Sequence, residues 1–80
     1  MEKDINLSIH VTEDDTHTHA MAVLDLRGDH FEAEGSARRN PIDPPNPVIG
    51  EELAIARALA ELQEHIMETA RKKIEAFLVV

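Results

Sequence analysis

Three of the five histidines, His10, His17 and His19, fall within ten residues of one another. Alternate residues of a strand share a face, so His17 and His19 project together. A hairpin folding back on itself sets His10 opposite His19, and Arg38 flanks His19 from the next strand. Three neutral imidazoles around one point have the chemistry to hold zinc or nickel. The loop carboxylates Asp14 and Asp15 are the nearest further ligands, and Arg38 would repel a cation. A pH-sensitive surface is the better reading of the trio, and no resident metal is expected. Asp25 and Glu32 face each other across the second hairpin. Such a like-charge pair can raise one carboxyl pKa, but a solvated pair beside a turn is the simpler account. With no cysteine there is no thiol nucleophile and no disulfide. The sequence has no nucleophile elbow, glycine-rich phosphate loop or HExxH motif. Neither an enzyme nor a cofactor-binding protein is expected.

The charge balance limits the partners. Sixteen acidic side chains against eight basic ones give a formal charge of −8, which repels phosphate backbones. DNA is not expected as a partner, and any RNA contact must use a local basic patch. Arg38 and Arg39 form the basic cluster outside the C-terminal region, while Arg71, Lys72 and Lys73 are matched by Glu64, Glu68 and Glu75 at helical spacing. The start of the chain alternates charge, unlike a signal peptide, and no apolar run approaches a bilayer span. A cytoplasmic protein with no membrane contact is expected.

Eighty residues make one small domain with little apolar area for a deep cleft. Ile5, Leu7, Ile9 and Val11 alternate with Asn6, Ser8 and His10, the period of a half-buried strand. With Glu13-Asp14-Asp15-Thr16 as the loop, Thr12 lies opposite His17, Ile9 opposite Ala20 and Leu7 opposite Ala22. A type II′ turn centred on Gly28-Asp29 then sets Leu26 opposite Phe31, Leu24 opposite Ala33 and Ala22 opposite Gly35. Both registers gather the apolar residues on one face. The Ala and Gly residues at the sheet centre leave room for a closely packed helix. All four prolines fall within residues 40–50, which form a crossover loop. Apolar residues then recur at three and four: Leu53, Ala56, Leu59, Ala60, Ile66, Met67, Ala70, Ile74 and Phe77.

The expected fold is α+β: a three-stranded antiparallel sheet in order 1-2-3 over about residues 4–12, 17–26 and 30–38, with one C-terminal helix over about 51–77 packed on one face. Gly50 reads as the helix N-cap, with Ile49 packed beside it and Glu51 and Glu52 favoured by the dipole. Leu24, Leu26, Phe31, Leu53, Leu59 and Ile66 are the expected core. A helix of about 27 residues spans roughly 40 Å, whereas a strand of eight spans about 27 Å. Its overhanging Ile74, Phe77 and Leu78, with Val79 and Val80 beyond, call for a partner. So do Met21 and Val23 on the open sheet face, and a homodimer satisfies both.

The stretch from Ala37 to Leu59, ARRNPIDPPNPVIGEELAIARAL, resembles the hallmark of a family of small actinobacterial proteins classed as a domain of unknown function. The motif residues are Asn40, Pro41, Asp43, Pro44, Pro47, Ile49, Gly50, Glu52 and Leu53, continuing through Ala56, Arg57, Ala58 and Leu59. The resemblance implies a βββα fold like that of double-stranded-RNA-binding domains, a homodimer, and similarity to ribosome hibernation promoting factors. It therefore implies a stress or dormancy protein acting on the ribosome or ribosomal RNA; the basic side chains available for such a contact are Arg38, Arg39 and Arg57. The first 34 residues, however, carry nine acidic and two basic side chains, unlike a typical rRNA-bound factor. The alternative is an acidic protein–protein interaction module without RNA contact, with a histidine-based metal or pH sensor in reserve.

Overall fold

The computed structural model describes residues 1–78; Val79 and Val80, expected to prolong the apolar C-terminus, lie outside the described residues. Strands β1 (Leu7–Glu13), β2 (His17–Leu26) and β3 (Asp29–Arg38) form an antiparallel sheet in order β1-β2-β3. The helix α1 (Pro47–Leu78) crosses one face of it, giving the expected α+β architecture. Along β2, Thr18, Ala20, Ala22 and Leu24 are buried under the helix while the residues between them face outward. This is the period-2 pattern read from the sequence.

Both hairpins differ from expectation by two residues. In the first, the Asp14 carboxylate accepts the backbone N–H groups of Thr16 (2.9 Å) and His17 (2.8 Å), and Asp14 N–H donates to the His17 carbonyl (2.9 Å). This Asx turn closes the loop one residue later than expected. Glu13 pairs with Thr18, Ile9 with Ala22 and Leu7 with Leu24, while His10 lies opposite Met21 rather than His19. In the second hairpin Arg27 (φ 53°) and Gly28 (φ 86°) are the central residues. Two positive φ values identify a type I′ turn in place of the expected II′. Leu24 then faces Phe31, Ala22 faces Ala33 and Ala20 faces Gly35. A shift of two leaves every side chain on its original face, so alternation alone could not distinguish the registers.

The helix begins four residues before Glu51, with Pro47 at its first position, where a missing N–H does no harm. Asn46 is the cap: its side-chain oxygen accepts from Ile49 N–H (3.4 Å) and its carbonyl from Gly50 N–H (3.3 Å). Gly50 is thus inside the helix, Ile49 is exposed, and Glu51 and Glu52 lie beyond the first turn. Ala54, Ala58 and Leu62 face the sheet, flanked by Ile55 and Ile66. Leu53 and Leu59, expected in the core, are 43% and 36% exposed. The reason is steric. A Cβ on Gly35 would run into the backbone of Ala54, Arg57 and Ala58, so the helix rests directly on the strand and only small side chains fit at the crossing.

Gly35→Ala is therefore expected to destabilise the fold by about 3 kcal/mol, the upper end for overpacking, because helix backbone rather than a flexible side chain must move. Leu24→Ala should cost roughly 2–4 kcal/mol as a core truncation. Chemical denaturation measures both. An unchanged midpoint for Gly35→Ala would show that the helix does not rest on the strand.

Candidate interaction sites

Three surfaces emerge from this packing. The first lies where the strand ends meet the proline-rich loop. Arg39 builds it: its guanidinium donates to the carbonyls of Asp15 (3.2 and 3.1 Å) and Asp43 (2.5 Å), and its backbone N–H donates to the Thr16 carbonyl (2.8 Å). The β1–β2 loop is thereby tied to the loop over residues 40–46. A further turn forms where Asn40 accepts from the N–H groups of Ile42 and Asp43. These ties enclose a concave space of about 580 Å³. Asn40, Asp43, Pro44, Pro47, Ile49, Gly50 and Leu53, seven of the motif residues, line it; Pro41 and Glu52 do not. Its floor contains Thr18, only 7% exposed, and its mouth carries Arg38.

The second surface is the open face of the sheet, where histidines and carboxylates alternate. His10, His17 and His19 are not brought to one point, because the actual register separates His10 from His19. Instead His17 Nδ1 meets the Thr16 hydroxyl (2.9 Å), with Asp14 at 3.8 Å, and His19 Nε2 lies 3.6 Å from Glu34. Among the described residues no group of three or more potential ligands is placed to hold a metal ion. Asp25 lies opposite His30 rather than Glu32, and that histidine separates the two carboxylates. His30 Nδ1 is 2.5 Å from Asp25 and Nε2 is 2.8 Å from Glu32. Sequence reasoning paired the acids and overlooked the base between them. The hydrogen bond to Glu32, then that to Asp25, holds the His30 imidazole above its ordinary pKa. The backbone N–H groups of Thr16 and then His17 hold the Asp14 carboxyl below its ordinary value.

The third surface is apolar. The helix packs along β3 and β2 and barely reaches β1, leaving Leu7 and Ile9 at 42% and 36% exposed on the helix side of the sheet, with Ile5, 52% exposed, just before the strand. Lys73 reaches Asp29 at the start of β3 (2.5 Å), so Ile74, Phe77 and Leu78 project past the sheet and are exposed. Met21 and Val23 on the opposite face are partly buried. The three candidate arginines differ in their engagements: Arg39 ties the loops, Arg57 donates to the Ser36 carbonyl (2.8 Å), and Arg38 forms no ion pair among the described residues.

Residues 3–79 match the family described as Rv2632c-like. The chain belongs to that family. It is 38% identical over 74 residues to the uncharacterized protein Rv2632c of Mycobacterium tuberculosis, covering 92% of this chain and 80% of that one. It is also 37% identical over 70 residues to the uncharacterized protein Mb1767 of Mycobacterium bovis, covering 88% and 74% respectively. The crystal structure of Rv2632c superposes with a TM-score of 0.93 at 35% identity, over all of this chain and 95% of the other. These Rv2632c-like relatives carry no enzyme name. No helix among the described residues is long and apolar enough to cross a membrane.

The His30 clamp makes stability depend on pH with a definite sign. A histidine pKa raised on folding contributes stability that is complete below its unfolded value, about 6.5, while the carboxylates remain ionised. That contribution is lost as pH rises through the folded value. His30→Gln should therefore lower the melting temperature more at about pH 6 than at about pH 9. Equal losses at the two pH values would rule out the clamp.

Proposed function

We propose that this protein is a non-enzymatic interaction module that works as a homodimer and offers an acidic surface to basic partners in the cytoplasm. The carrying observation is the uncovered apolar surface: Leu7 and Ile9 beside the helix, and Ile74, Phe77 and Leu78 beyond the sheet. A protein of this size cannot easily leave two such patches in water, and a two-fold pairing lets each overhang cover the other copy's β1. Met21 and Val23, expected at the dimer interface from sequence, are less exposed than these residues and lie on the other face. The net charge of −8 and the carboxylates Asp25, Glu32 and Glu34 on the open face favour a basic partner.

A second reading is a stress or dormancy factor acting on the ribosome, as hibernation factors do. Its support is Arg38, exposed and free of ion pairs among the described residues. Arg39 and Arg57, the other two candidate contacts, are bound to backbone carbonyls. A lone arginine in an acidic field holds phosphate weakly.

Light scattering should give twice the monomer mass of 8.9 kDa at micromolar concentration, and Phe77→Glu should halve it. The melting temperature should rise with protein concentration. A monomer mass for the unaltered chain would overturn the dimer. Titration against a polybasic peptide and a single-stranded RNA separates the two readings, with binding expected for the peptide alone. Salt-sensitive RNA binding abolished by Arg38→Ala would favour the ribosome instead.

A further inference from the structure

We propose that the cavity at the strand ends is a receptor for a lysine side chain presented by a basic protein segment, with Thr18 at its floor and Gly50 as its opening. The inference rests on the reading of this chain as a module for basic partners and names where one such contact is made.

The lining combines an apolar wall with an acidic rim. Pro44, Pro45, Pro47, Ile49 and Leu53 supply surface for an aliphatic stem. Glu13, Asp15 and Asp43 are exposed at the mouth, and none of their carboxylates takes part in an ion pair among the described residues. Four carboxylates, Glu13, Asp14, Asp15 and Asp43, stand in the lining against two cations, Arg38 and Arg39, and the Arg39 guanidinium keeps its charge but is engaged by the carbonyls of Asp15 and Asp43. Negative charge therefore outweighs positive, which disfavours an anionic guest; a wholly apolar guest would bury carboxylates without a partner. A cation on a methylene stem satisfies both the wall and the rim.

The floor gives a second, independent indication. Among the described residues Thr18 is the one buried polar residue, 7% exposed, and its hydroxyl takes part in no hydrogen bond. The hydroxyl is not sealed, since Thr18 lines the cavity and no fully sealed polar side-chain atom among the described residues lacks a partner. It lies 2.9 Å from where a Cβ on Gly50 would stand. Gly50 occupies an ordinary helical position with no positive φ, so its backbone does not require glycine. The missing side chain instead leaves the Thr18 hydroxyl uncovered. A compact ammonium has three rotatable donors and fits a single recessed acceptor beneath scattered carboxylates, whereas a guanidinium requires a planar fork of acceptors.

The test is an amide chemical-shift titration of the full chain with blocked lysine (Nα-acetyl-lysine N-methylamide), using the norleucine and glutamate counterparts and cadaverine as comparisons. Lysine should give saturable shifts centred on Thr18, Gly50 and Asp43. Norleucine and glutamate should bind at least about ten-fold more weakly, the equivalent of one hydrogen bond to a charged group. Gly50→Ala, whose Cβ would stand 2.9 Å from the Thr18 hydroxyl and force it to turn, should weaken lysine binding, while the helix preference of alanine offsets part of the cost of that shift in the melting temperature. Thr18→Val, which keeps the shape and removes the hydroxyl, should weaken binding by a similar factor. Equal binding of norleucine, preferential binding of glutamate or of free cadaverine, or an undiminished response in Gly50→Ala would overturn the proposal. Absence of saturable shifts would overturn it too, yet a polybasic peptide captured at the open sheet face would still leave the module reading standing.

Discussion

The approach of the helix to the sheet at Gly35 is the constraint on which the rest of the molecule depends. With helix backbone resting on strand backbone, the core at the crossing is made of Ala20, Ala22, Ala33, Ala54 and Ala58. Small residues bury little area each, so Leu24, Phe31 and Leu62 supply most of the large apolar burial. Proximity also places the ends. The Arg57 guanidinium reaches the Ser36 carbonyl, the His65 ring reaches the Glu32 carbonyl and Lys73 reaches Asp29, three contacts spaced along β3 that hold the helix over that strand.

A helix held over β3 and β2 cannot also cover β1. Leu7 and Ile9 therefore stay exposed and only Val11 of β1 packs against the core, although the alternation of β1 is as regular as that of β2. The same placement carries the helix start to the β1–β2 loop, where Arg39 fastens the proline-rich segment and a cavity results. The apolar groove and the polar cavity are thus two products of one crossing. They suit different guests: the groove matches another apolar surface of this chain, and the cavity offers a recessed hydroxyl beneath carboxylates.

The open sheet face shows how local chemistry modifies charge. Asp25 and Glu32 would repel each other across the second hairpin if directly paired. A register displaced by two inserts His30 between them, and the face gains a titratable link instead of a repulsive pair. His19 stands similarly beside Glu34. Protonation of His30 offsets part of the negative charge of the face, so its attraction for a basic partner weakens toward acid pH.

Alternation in Ile5–Val11 and His17–Leu26, a turn signalled by Gly28 and the proline-rich break before a long amphipathic segment were enough to determine three strands, their order and a single covering helix. They also determined which face of the sheet is apolar, because that depends only on parity. Absolute register required the tertiary structure: sliding a strand by two preserves parity, and the Asx turn at Asp14 and the seat of Gly35 under the helix select among the alternatives. The buried stripe of the helix required it as well. Leu53, Ala56, Ala60 and Met67 form as good an apolar stripe as Ala54, Ala58 and Leu62, and hydrophobicity favours the former. Only the lack of space above Gly35 turns the small residues inward and leaves the larger ones outside. The cavity was legible only as a motif, since its residues are brought together by Arg39 spanning two loops that are distant in sequence.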